Sequence, residues 1–201
     1  MDSQLAAIII HDIKNALGML ESELRAMTEQ PSRERAITAH DTCAAMREKL
    51  IGFLTLYKAS SQGLTANVEA VNPEDFLRGL MRHRISVRPE LRIEVDATDM
   101  PVLGFFDENL VGLALDAAIQ NASRFARTRI TLGCRQIESD LVFSVSDDGP
   151  GLGATEDKPS TGLGMELCSA IARAHQKSGR NGSVSLHNAP QGGAVFSMRL
   201  P

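Results

Sequence analysis

The chain has 201 residues, 43% of them hydrophobic, and 21 basic against 25 acidic side chains give a formal net charge of −4. This is enough apolar material for one ordinary domain and a smaller one, and the evenly mixed charge excludes the basic stripe of a DNA or RNA binder. The longest apolar run near the start, Leu5 to Ile10, is far too short to cross a bilayer, so a soluble chain without membrane contact is expected.

The first predicted element is a helix over 2–29, in which Ile10, Ile13, Leu17, Leu20, Leu24 and Met27 recur at alternating intervals of three and four. Gln30-Pro31-Ser32 ends it, because proline cannot continue a helix interior. A second helix is predicted over 33–60, where Ala39, Cys43, Met46, Leu50, Phe53 and Tyr57 repeat with the same spacing. Two such helices with a short connection form an antiparallel hairpin. A lone hairpin leaves one apolar face in water, and burying it against a second copy gives a homodimeric four-helix bundle. His11, in His11-Asp12-Ile13-Lys14-Asn15, falls just beside the first seam. A reagent arriving from outside the bundle can reach its ring. Asp12 can hold the imidazole in one tautomer and accept the proton it loses, and Asn15 lies one turn on along the same face.

Small and polar residues over 61–72 read as a linker. Beyond it the sequence predicts a helix over 73–84 with Asn72 as cap, a strand over 91–96, and a long helix over 108–125 capped by Asp107. Leu110, Leu113, Ala114, Ala117, Ala118 and Asn121 fall along one side of that helix. Strand alternation follows at 129–135 and 141–146, then a helix at 164–175 and paired strands at 183–186 and 195–200 joined through Gly192-Gly193. The order predicts an α+β fold: the helical hairpin at 1–60, the linker at 61–72, and an α/β sandwich at 73–201 with a mixed sheet and helices on one face. Cys43, Cys134 and Cys168 are odd in number and outside CxxC spacing. They read as reduced, buried thiols of a cytoplasmic protein, not as a disulfide framework or zinc site.

Two glycine-rich segments complete the pattern. Asp147-Asp148-Gly149-Pro150-Gly151-Leu152-Gly153 follows a predicted strand, and Thr161-Gly162-Leu163-Gly164-Met165 opens a predicted helix. Glycines there let the backbone approach a phosphate, and the helix start offers N–H groups and a positive dipole end. A carboxylate at Asp147 can accept a hydrogen bond from an adenine amine.

With the His11–Asn15 run, Asn121-Ala122-Ser123-Arg124-Phe125 and both glycine segments in this order, the chain resembles the transmitter region of bacterial sensor histidine kinases. The hairpin corresponds to the dimerisation and histidine-phosphotransfer part, and the rest to the ATP-binding domain shared with gyrase, Hsp90 and MutL. The resemblance implies that His11 accepts a phosphoryl group from ATP and passes it to an aspartate of a response regulator. It implies that Asn121 is a Mg²⁺ ligand, that Asp147 reads adenine, and that Arg124 lies near the phosphates. Gly149, Gly151, Gly162 and Gly164 become hinges of a lid, with Thr161 and Leu163 in the same nucleotide-binding segment. Asn15 matches a position that serves dephosphorylation of the regulator. Relatives usually carry a second polar residue where this chain has Ala117, and the lid over 154–160 is short and lacks phenylalanine. A dimeric histidine phosphotransferase with a degenerate ATP site, and a scaffold that binds a regulator without catalysis, are therefore alternatives on the residues alone.

Overall fold

The computed structural model describes residues 3–82, 91–153 and 162–201. The chain divides into two compact units, Met1–Gly63 and Leu64–Pro201.

The first unit is a helical hairpin of α1 (Ser3–Glu29) and α2 (Arg33–Ser61). Ser32 caps α2, its extended backbone leaving Oγ to accept from the Arg35 N–H at 3.2 Å. The Arg35 guanidinium closes the turn by donating to the Ala26 carbonyl at 2.7 Å and to Gln30 Oε1 at 3.2 Å. Ala39 is buried, whereas Leu17, Leu24, Leu50 and Tyr57 of the apolar stripes stay between 42% and 53% exposed. Two helices cover only one sector of each other, so the rest of each stripe faces outward. Cys43 lies in that uncovered sector and is exposed, which corrects the expectation of three buried thiols.

The second unit begins with β1 (Glu69–Val71), α3 (Pro73–Arg82), β2 (Arg92–Asp96), β3 (Gly104–Phe106) and α4 (Glu108–Phe125). It continues with β4 (Arg129–Ile137), β5 (Asp140–Asp147), α5 (Leu163–Ala174), β6 (Gln176–Lys177), β7 (Arg180–Asn181), β8 (Ser183–Asn188) and β9 (Ala194–Leu200). Five strands form one mixed sheet in the order β2-β4-β5-β9-β8, with β2 parallel to β4 and the other pairs antiparallel. Register explains the layering. Leu132, Val145 and Phe196 align across the sheet, as do Cys134, Phe143 and Met198, all buried on one face. The residues between them, Thr131, Ser144, Ser146, Ser197 and Arg199, occupy the other. Helices cover the apolar face, α3 on β2 and β4, α4 on β4 and β5, α5 on β8 and β9. The rings of Phe76, Phe106 and Phe143 meet there with centroids 5.0 to 5.9 Å apart.

Two small ladders differ from the sequence reading. β1 lies within the stretch read as linker, pairing antiparallel with β3, and β6 pairs with β7 as a second small ladder. Strands of two or three residues are too short to show alternation. The last two residues of the helix read over 73–84 lie outside the described residues.

Candidate functional site

His11 is exposed on α1. The Asn15 amide nitrogen stands 3.2 Å from its Nδ1 and 3.4 Å from its Nε2, so the amide lies over the ring edge between the two nitrogens. The helical spacing of four brings these side chains together, as the sequence implied. Asp12 belongs to the same helix, and its side chain lies outside the described residues.

In the second unit, α4 starts where Asp107 Oδ1 accepts from the Leu110 N–H at 2.9 Å. Its final turns carry the exposed Asn121 and Arg124, with the Arg124 guanidinium 5.6 Å from the Phe125 ring centroid. Next to that helix end, β5 delivers Asp147. Its Oδ1 accepts from Gly149 N–H at 2.8 Å and from Ala194 N–H at 3.3 Å. Among the described residues no such bond reaches Oδ2.

The glycines are demanded by contact. A Cβ on Gly149 would sit 2.5 Å from the Phe125 carbonyl oxygen, and one on Gly151, at φ +86°, would sit 2.6 Å from Asn188 Oδ1. A Cβ on Gly193, also at φ +86°, would collide with the Asp147 carbonyl oxygen. The glycine loop is thus squeezed between the α4 end and the β8–β9 turn. On the far side Gly162, at φ +71°, caps α5 without a side chain and offers its carbonyl to Met165 and Glu166. Leu163 and Gly164 form the first turn, and a Cβ at Gly164 would meet the Ala117 methyl at 3.9 Å. Cys168 donates to the Ala114 carbonyl at 3.4 Å, so α5 leans on α4 along its apolar side. Thr161 and the short lid over 154–160 lie outside the described residues.

Two side chains escaped the sequence reading. Asp148 accepts from the backbone N–H groups of Arg127, Thr128 and Arg129 at 2.8, 3.0 and 3.1 Å, and from the Thr128 hydroxyl at 2.5 Å. Burial works to raise its pKa, but the bonds from Thr128, Arg129 and Arg127 outweigh it and hold the carboxyl well below the usual carboxylate range. Asn188 Oδ1 accepts from the Leu152 N–H at 2.5 Å. A carboxylate directly after the motif aspartate was a visible signal for the first; the second is a strand-end residue remote in sequence.

The arrangement suits a purine nucleotide. Asp147 supplies an acceptor for an amine, the glycine loop leaves room for close backbone approach, and the start of α5 presents N–H groups suited to phosphate. Among the described residues no group of three His, Cys, Asp or Glu side chains could hold a metal unaided. Mg²⁺ at phosphates takes only one or two protein oxygens, and the Asn121 amide fits that donor set.

Residues 106–201 match the family model described as histidine kinase-, DNA gyrase B-, and HSP90-like ATPase. Over 130 residues the chain is 28% identical to the signal transduction histidine-protein kinase AfsQ2 of Streptomyces coelicolor, covering 56% of this chain and 24% of that protein. The fold matches the histidine kinase AdeS of Acinetobacter baumannii with a TM-score of 0.67 at 19% identity, covering 94% of this chain and 96% of that one. It also matches the histidine kinase ThkA in complex with response regulator protein TrrA, with a TM-score of 0.66 at 15% identity over 99% of this chain and 61% of that one. The chain spans less than half the length of the curated relatives it matches. No helix among the described residues is long and apolar enough to cross a membrane. The chain is thus similar in sequence and in fold to histidine kinases, and its residues 106–201 match the family described as histidine kinase-, DNA gyrase B-, and HSP90-like ATPase.

Proposed function

We propose that the chain is the transmitter of a cytoplasmic two-component histidine kinase, which phosphorylates His11 from ATP and passes the phosphoryl group to an aspartate of a response regulator. The observation that carries this reading is Asp147, a carboxylate at a strand end with one oxygen fixed by Gly149 and Ala194, set in a loop where side chains are excluded. An exposed imidazole with an amide across its edge, in a separate unit, supplies the other half.

ATP is the substrate. Asp147 accepts from the adenine amine, the glycine loop and the start of α5 face the phosphates, and Arg124 offsets their charge. Asn121 would hold a Mg²⁺ ion, which when bound would supply further neutralisation of the phosphate charge. A ring nitrogen of His11 forms the new P–N bond as the bond from the γ-phosphorus to the bridging oxygen breaks. ADP leaves, and the ring proton passes to Asp12 or water. The phosphohistidine then donates to the carboxylate of the regulator. The similarity in fold to ThkA, whose structure is a complex with a response regulator, supports that partner. The exposed stripes of α1 and α2 support a homodimer, since a second copy buries them in a four-helix bundle.

A competing reading is a dimeric histidine phosphotransferase with a degenerate ATP site. Ala117 favours it, because a methyl facing Gly164 occupies a place where relatives carry a polar group. One experiment separates the two. Wild type and His11→Gln are incubated with γ-labelled ATP and Mg²⁺, and acid-labile label is counted. The kinase reading expects label on wild type alone. Absent labelling with no nucleotide binding, together with uptake of label from a phosphorylated regulator, establishes the phosphotransferase instead.

A further inference from the structure

We propose that Asp148 is a positioning residue, fixing the metal-site end of α4 against the adenine-reading carboxylate of Asp147. The inference rests on the kinase reading above and deepens it.

The argument is geometric. α4 ends at Phe125, and the next turn carries three successive backbone N–H groups, on Arg127, Thr128 and Arg129, which all donate to Asp148 Oδ1. Oδ2 takes the Thr128 N–H at 3.1 Å and the Thr128 hydroxyl. The backbone of Asp148 in turn donates to the Arg129 carbonyl at 3.3 Å. One side chain therefore binds the whole α4–β4 turn to the residue directly after Asp147. Charged acceptors make the stronger hydrogen bonds, and the neutral amide of asparagine keeps one weaker acceptor oxygen and puts an NH₂ group, a donor, in place of the other.

The glycine loop has other supports. Asp147 is held by the Gly149 and Ala194 N–H groups and by its register opposite Ile130. Asn188 fixes Leu152 further along. Removing the Asp148 carboxylate thus leaves the adenine reader in place and releases the other side: the α4 end, with Asn121 and Arg124 within its last five residues. Those two residues face the phosphates in the proposed reaction, so their displacement affects transfer more than nucleotide capture.

The test uses the full chain and compares wild type, Asp148→Asn, Thr128→Val and Asp147→Asn. ADP affinity is measured without Mg²⁺, and His11 labelling is measured at saturating ATP with Mg²⁺. For Asp148→Asn the expected result is ADP affinity within about threefold of wild type and a saturated labelling rate lower by about 100-fold. Thr128→Val, which removes a single bond, lowers the rate by about threefold to tenfold and serves if the first variant fails to fold. Asp147→Asn loses ADP affinity. An unchanged labelling rate in Asp148→Asn and Thr128→Val, or parallel loss of ADP affinity and rate, overturns the positioning role. Wild type that binds no nucleotide overturns the kinase reading itself, a separate and visible outcome.

Discussion

The backbone N–H of Asp107 donates to Nε2 of His175 at 3.0 Å, joining the cap of α4 to the cap of α5. The other ring nitrogen, Nδ1, lies 2.9 Å from the Ile171 carbonyl, so it carries the proton and the ring is neutral. Asp107 meanwhile accepts from Leu110 N–H within α4 and from Asn67 N–H at 2.8 Å. Two helices therefore meet at one buried imidazole, which is 3% exposed, and the entering chain is bound to the same cap through Asp107.

That geometry fixes the sign of a pH effect. Burial pushes the pKa of His175 below its ordinary 6.5, against the upward pull of the Ile171 carbonyl and the Asp107 carboxylate. A depressed folded value means that the unfolded chain takes up a proton first as pH falls. The stabilisation is complete above pH 6.5 and is lost as pH falls through the folded value. Thermal melts from pH 7.5 to 5 are expected to show a falling Tm in wild type and a flatter profile in His175→Gln. The same slope in both proteins would assign the transition to another group.

The glycines divide by what surrounds them. In Gly149→Ala the new methyl meets the Phe125 carbonyl at 2.5 Å and Asp147 Oδ1 at 2.8 Å, forcing the loop away from α4 at a cost of about 1–3 kcal/mol. Nucleotide affinity should fall with stability. Gly79→Ala in α3 meets nothing within 4 Å, and removing glycine from a helix interior should stabilise by about 0.5–1 kcal/mol. Denaturant melts of the two variants, shifting in opposite directions, check both statements.

How far the sequence carried this structure depends on the length of each signal. α4 was legible to the residue because Asp107, a good cap, precedes eighteen residues of continuous helical periodicity. β1 and β3 were not, since three residues cannot display a period, and their pairing joins positions far apart in the chain. The same contrast holds at the site. Asp147, Gly149 and Gly151 stood out as a local motif, while Asn188 reaches Leu152 from 36 residues away and carries no local mark. Cys43 shows a third limit: helical spacing put it on an apolar seam, but spacing does not say which sector a single hairpin covers.

The thiols should differ sharply in reactivity. Cys134 and Cys168 are buried, and desolvation of the thiolate pushes each pKa up to about 12. With almost no thiolate at neutral pH, neither should react with an aromatic disulfide reagent in the folded protein. Cys43 should supply any fast phase, and denaturant should release the other two thiols together. Fast native labelling of Cys134→Ser at Cys168 would show that the core opens more readily than its packing implies.

Asn15 separates two halves of the proposed cycle. Its amide contacts the His11 ring at an exposed position, where water competes and a hydrogen bond contributes only about 1 kcal/mol. Asn15→Ala should therefore change His11 labelling by no more than about fivefold. Dephosphorylation of the regulator is a different requirement, because a water must be held in line with the acyl phosphate and alanine has no group to hold it. That rate should fall by about tenfold to 100-fold. The measurement pairs His11 labelling with decay of purified phospho-regulator on addition of each variant. Equal loss of both activities would mean that Asn15 acts through the orientation of the His11 ring, and its amide would then belong to the phosphotransfer step instead of to a separate hydrolysis.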